Sequence, residues 1–349
     1  MAIRTLRRSK RARSTSPIFP PKPAVLSTSS SQAISVAESP RKSQKLKLQS
    51  AYIVESPFPD YGHPTSDEAF EVYNLLSKAH RAPDPVHRAP VGSSNSAETC
   101  GNVPNVIESL IGTILSQNTS NINSTRAKRG LDDAFGRNNF AAIATAPKDQ
   151  VIDAIRSGGL ANKKAAVIQN ILHSVKAKHG DYSLQHLAAA EEGKRMTDDE
   201  IMKELISYDG VGPKTASCVL LFCLGRDSFA VDTHVFRLSK ILSWVPSSAD
   251  RIRTQAHLDH RIPNKLKYGL HVLLVQHGRI CKGCRVGFKE PCVLKTYMKD
   301  KKSKSTGEIE SSEEKPEYSA DCECIPRMGA VVNVLTDAFR FRIDFILHS

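Results

Sequence analysis

Gly210-Val211-Gly212-Pro213-Lys214-Thr215-Ala216 separates two stretches of helical periodicity, residues 201–208 and 214–224. Two glycines one residue apart make a tight turn, and the residue types predict free amides at Gly210, Val211 and Gly212. Pro213 suits the first turn of a helix, where no amide is needed. Amides of a turn and of a helix N-terminus together suit a phosphate, so Gly210, Val211, Gly212 and Thr215 are candidate contacts to a nucleic-acid backbone. An ordinary helix-turn-helix corner has the same signature.

Helical spacing extends outward on both sides. Val106, Leu110, Ile114 and Leu115 recur at that spacing, as do Ala165, Ile168, Ile171 and Leu172, and then Ile201, Leu205 and Ile206. Strand-like alternation is nearly absent from 106 to about 294, and 67–79 is also helical. The expected class is all-α. Residues 1–65 are rich in Ser and Pro and poorly periodic, so they are expected to be a disordered basic tail. The expected helical body spans 66–297, and 298–349 is expected to be a charged linker and C-terminal tail. In that tail Phe339, Phe341, Ile343 and Phe345 alternate with Arg340, Arg342 and Asp344.

Ten of the thirteen net positive charges fall within residues 1–50, so the body is not basic in bulk. An anionic partner would be held by a patch and by backbone amides. Residues 7–13 carry a basic run of the nuclear-localisation type, and a mitochondrial presequence fits the same composition. No apolar run reaches the ~20 residues a membrane span needs. Eight cysteines without a signal-peptide core favour a reducing compartment.

Lys214 stands in the first turn of its helix, against the positive end of the macrodipole, which is expected to lower the amine's pKa. A neutral amine is a nucleophile. A lysine that merely bonds a phosphate would occupy the same place. Eighteen residues on, Asp232 and Thr233 precede the helical stretch 235–242, and either is a candidate N-cap. As a cap, Asp232 is also a carboxylate held rigidly enough to face a reaction centre.

The hairpin 210–216, followed at this distance by Val231-Asp232-Thr233-His234-Val235-Phe236-Arg237, closely resembles the helix-hairpin-helix-GPD superfamily of DNA glycosylases, in its endonuclease III-like branch. The resemblance runs from about Val106 to Arg279 and implies the all-α two-lobed fold of that family. It implies that Gln117, in Ser116-Gln117-Asn118-Thr119, fills the gap left by a flipped base. It also implies that Leu160, in Gly159-Leu160-Ala161-Asn162-Lys163-Lys164-Ala165, is the intercalating wedge. The implied activity is removal of a damaged base, an oxidised pyrimidine above all, from double-stranded DNA. Strand cleavage would follow, with Lys214 as nucleophile and Asp232 as its carboxylate. The alternatives are base removal without cleavage, or a non-catalytic DNA-binding module. A monomer and a nuclear location are expected, with the mitochondrion as alternative.

The sequence departs from the family pattern at two places. Asp209 stands where the family's hairpin usually carries Pro. The family often holds a [4Fe–4S] cluster on four cysteines spaced C-x6-C-x2-C-x5-C. Here Cys281, Cys284 and Cys292 are spaced C-x2-C-x7-C, and a fourth thiol would have to come from Cys322 or Cys324. Three local thiols fall short of four. The expectation is therefore no metal, with a cluster or zinc as alternatives, and Cys218 and Cys223 are expected to be core.

Overall fold

The computed structural model describes residues 55–310 except 82, 84–86, 93–100 and 190–194. The basic tail to residue 54 and the aromatic alternation at 339–345 lie outside the described residues, as do Cys322 and Cys324. Among the described residues no strand forms.

The helices are α1 (Ser66–Ala79), α2 (Val106–Leu115), α3 (Asn121–Phe135), α4 (Phe140–Thr145), α5 (Lys148–Ala154), α6 (Ala161–His179), α7 (Asp198–Ser207), α8 (Pro213–Phe222), α9 (Thr233–Ile241), α10 (Arg251–Arg261), α11 (Asn264–Ile280) and α12 (Val293–Glu310). Their starts are chemically marked. Thr65 and Thr197 each accept from the backbone three residues on, while Glu68 and Glu200 reach back to the cap amides. Asn105, Ser120, Asp232 and Asp250 cap α2, α3, α9 and α10. Each such cap contributes about 1 kcal/mol.

Two separate cores form. The first gathers α2 to α8, with α2 buried on every side, around Leu110, Ile114, Ile168, Leu172 and Leu205. Glu108, 2% exposed, is compensated inside this lobe by Lys128 Nζ at 3.1 Å and Arg137 Nε at 2.9 Å. The second core joins α1 to the later chain through Val72, Leu76, Phe229, Leu238, Trp244, Leu270 and Leu274. The early helix α1 thus packs against α11, some 200 residues later, a pairing that periodicity cannot reveal.

The C-terminal boundary differs from the expected one. The basic stretch 299–304 is not a linker but continues α12 to Glu310. Leu294 is fully buried in the second core, Tyr297 Oη donates to Glu71 at 2.6 Å, and Lys301 Nζ donates to Glu68 at 2.5 Å. Lysines are good helix formers, and these anchors hold the first turns of α12 on α1.

Candidate active site

Between the lobes lies a cleft of about 500 Å³. Its walls come from α2 and the turn after it (Thr113, Ser116, Thr119), from α8 (Lys214, Cys218), and from Asp232 and α11 (His271, Gln276, Arg279). Lys214 and Asp232, 18 positions apart in sequence, share this cleft because α8 and α9 start in different lobes and both N-termini face it.

The hairpin is built as its glycines require. Gly210 has φ +89°, and a side chain there would strike Val167 of α6 at 2.5 Å. Pro213 is the first residue of α8, with Gly212 as cap. Val211 differs from expectation. Its amide donates to Tyr208 O at 3.1 Å, which closes the turn, and its side chain is 3% exposed in the first core. Any phosphate contact here falls to the neighbouring amides, because Val211 has spent its donor on the turn. Thr215 is also buried, and its hydroxyl accepts from Gln117 Nε2 at 3.1 Å. That bond fixes the turn after α2 to the start of α8, so Gln117 is held beside the hairpin.

Asp232 caps α9 with one oxygen only. Oδ1 accepts from the amides of His234 and Val235, both at 2.8 Å. The cap therefore leaves Oδ2 out of its hydrogen bonds. Lys214 departs from expectation. Its pKa is raised, chiefly by the Cys218 sulfur one turn further along α8, which hydrogen-bonds it. Burial opposes, Asp232 adds to the rise, and Arg279 counters it. The helix dipole is a fraction of a charge at the end of the helix, whereas the Cys218 sulfur hydrogen-bonds the amine and the Asp232 carboxylate lines the same enclosed cleft, so together they win. Cys218, expected as core, is both buried and part of the cleft wall.

His271 was not singled out in the sequence. Its Nδ1 donates to Ala230 O at 2.8 Å, and burial lowers its pKa to about 4, helped by Lys214 and opposed by Asp232. A neutral imidazole thus backs the loop that ends in Asp232, leaving the cleft cationic groups to Lys214 and Arg279. Neither His271 nor Arg279 carries a spacing signal; only the register of α11, whose other face is core, could have pointed to them.

Leu160 stands clear of the body, 54% exposed with φ +51°, as the residue before α6. The loop behind it is tied down by Lys164, whose buried ammonium donates to Leu115 O at 2.8 Å and Gly158 O at 2.9 Å. Leu160 is thus an exposed leucine on a loop anchored to the end of α2.

The three cysteines do meet, and a fourth donor joins them. His277, Cys281, Cys284 and Cys292 bring their ligand atoms within 4.8 Å of one another. The cluster could hold a metal, so the expectation of none loses its support. That expectation counted thiols and passed over His277, which lies one helical turn before Cys281.

Residues 111–264 match the family described as HhH-GPD superfamily base excision DNA repair protein. A putative DNA glycosylase of Arabidopsis thaliana is 35% identical over 252 residues, covering 68% of this chain and 83% of the relative. The chain belongs to the HhH-GPD superfamily. It is a DNA glycosylase of the base-excision type, with DNA as its partner. Endonuclease III of Sulfolobus acidocaldarius is 30% identical, covering 58% of this chain and 86% of that one. A non-covalent endonuclease III–DNA complex shares the fold at a TM-score of 0.51 and 22% identity, covering 69% of this chain and 99% of the other. No described helix is long and apolar enough to cross a membrane.

Proposed function

We propose that this glycosylase removes an oxidised pyrimidine and then cleaves the strand, with Lys214 as nucleophile and Asp232 as its carboxylate. The observation that carries the reading is the convergence of these two side chains on one interlobe cleft, beside a hairpin suited to a phosphate. A base inside a duplex cannot be reached, so the nucleotide must be extruded, at a cost of a few kcal/mol. Leu160 would enter the vacated stack, with Gln117 facing it from the hairpin side. The amides flanking Val211 would hold the backbone.

In the chemical step, the Lys214 amine forms a bond to C1′ as the bond from C1′ to the base breaks and the base leaves with the electron pair. The free Asp232 oxygen offsets the positive charge on the sugar, an electrostatic contribution commonly worth about 3–4 kcal/mol. Because Lys214 rests as an ammonium, its proton must leave before attack, and the Asp232 carboxylate that shares the cleft is the group assigned to take it. Opening of the sugar gives a Schiff base. Loss of the C2′ proton and expulsion of the 3′ phosphate then nick the strand. The Ser116 hydroxyl and the Gln276 amide on the cleft wall suit the carbonyl and N–H groups of such a base.

One observation favours a second reading, base removal without cleavage: the raised pKa of Lys214 weakens it as a nucleophile. Duplexes carrying single lesions separate the two. Nicking without alkali supports the lyase; free base released from strands that break only on alkali treatment supports the second reading. Residues 66–310 would then be the glycosylase body, and the basic N-terminal run fits a nuclear destination.

A further inference from the structure

The four donors at the end of α11 lie too close together for an iron–sulfur cube. In a [4Fe–4S] cluster each thiolate ends on a different iron, which keeps the ligand sulfurs roughly 6 Å apart. Here all four ligand atoms lie within 4.8 Å; Cys284 Sγ is 3.3 Å from Cys292 Sγ, and Cys292 Sγ is 3.5 Å from His277 Nε2. A tetrahedral ion with Zn–S near ~2.3 Å and Zn–N near ~2.0–2.1 Å sets its donors about 3.5–3.8 Å apart. The residues present therefore do not fit the cluster of the family, and they do fit one ion.

The surroundings agree. His277, Cys284 and Cys292 are buried, which leaves three polarisable donors crowded together in the second core. His277 Nδ1 lies 2.8 Å from His80 Nε2 on the residue that closes α1. With the proton on Nδ1, that bond orients the ring and leaves the Nε2 lone pair aimed at the sulfurs, the arrangement usual for a metal-bound histidine. The backbone is shaped for it. Cys281 ends α11, Cys292 opens α12, and a side chain at Gly283 would meet Glu290 O at 2.4 Å and Pro291 O at 2.8 Å. The loop folds back on itself so closely that only glycine fits.

We propose that His277, Cys281, Cys284 and Cys292 hold a single tetrahedral ion of the zinc class, in place of the cluster carried by many relatives. The ion joins the last turn of α11 to the first of α12 and, through His80, to the end of α1. It plays no part in the chemical step, and the proposal stands or falls separately from the roles of Lys214 and Asp232. Arg279, two residues from His277, reaches the cleft, so the ion also fixes the end of α11 that bears a cleft residue.

The test uses the full chain, expressed with iron and zinc both supplied and purified without oxygen or chelators. Metal analysis should give about one zinc per chain in a colourless protein. Exchange with cobalt should give the visible bands of tetrahedral cobalt and a thiolate charge-transfer band. His277→Cys should keep the metal and shift those bands, whereas Cys284→Ser and Cys292→Ser should lose it. Should the serine variants fail to fold, release of the wild-type zinc by a mercurial, counted with a metal dye, reports the same thiol ligation. A brown protein with about four irons per chain overturns the proposal. So does a folded metal-free chain, a Cys284–Cys292 disulfide, or zinc retained in full by Cys292→Ser.

Discussion

Acidification from pH 7 to pH 5 should cost the fold roughly 2 kcal/mol through His271 alone, out of a maximum near 3 kcal/mol for the whole shift. Burial lowers its pKa to about 4, against about 6.5 when unfolded. Between those values the unfolded chain binds the proton that the folded chain refuses. The stability is fully present above about 6.5 and is lost as pH falls toward 4. Other groups titrate in the same window, so the perturbation is a pair: wild type and His271→Asn, each unfolded in urea at both pH values. The asparagine amide can take over the bond that Nδ1 makes to Ala230 O. The variant should therefore lose about 2 kcal/mol less on acidification. Equal losses in the two proteins would refute the reasoning, and would mean that the His271 ring is protonated or solvated in the native state.

Two further outcomes follow from the cleft. Leu160→Ala should slow base release by about ten- to a hundredfold in single-turnover assays, the equivalent of ~1.5–3 kcal/mol of lost apolar insertion, and Gln117→Ala should act in the same direction. The unfolding midpoint of Leu160→Ala should stay unchanged, because that side chain is exposed; wild-type rates in both variants would remove the wedge assignment. Cys218→Ala removes the largest cause of the raised Lys214 pKa, so the acid limb of the pH–rate profile for covalent-complex formation should move to lower pH. A profile that stays in place would show that Cys218 does not set the protonation of Lys214.

Much of this architecture was legible because it depends on local rules. The all-α class follows from spacing, and the hairpin from Gly210, Gly212 and Pro213, while the sequence leaves the cap of the next helix between Asp232 and Thr233 and the structure gives it to Asp232. What the sequence hides is set by tertiary contact. Val211 looks like a free turn amide, but the turn uses that amide itself. Lys214 looks like an amine depressed by a dipole, yet Cys218, one turn away, and Asp232, from another helix, reverse the direction. Lys299 to Lys304 resemble a linker until Leu294 and Tyr297 dock on α1. His277 drew no notice as a ligand, because a histidine one turn before Cys281 is outside the cysteine pattern of the family and is completed only by the fold of the 281–292 loop.

The central claim, that Lys214 is the covalent nucleophile, is tested most directly by borohydride reduction on an abasic-site duplex. Wild-type protein should give a protein–DNA adduct. Asp232→Asn should form it about a hundred- to a thousandfold more slowly. Lys214→Gln should form none while still binding the duplex, because hairpin amides rather than the lysine hold the backbone. An adduct formed by Lys214→Gln at the wild-type rate, or none from the wild type, would contradict the account.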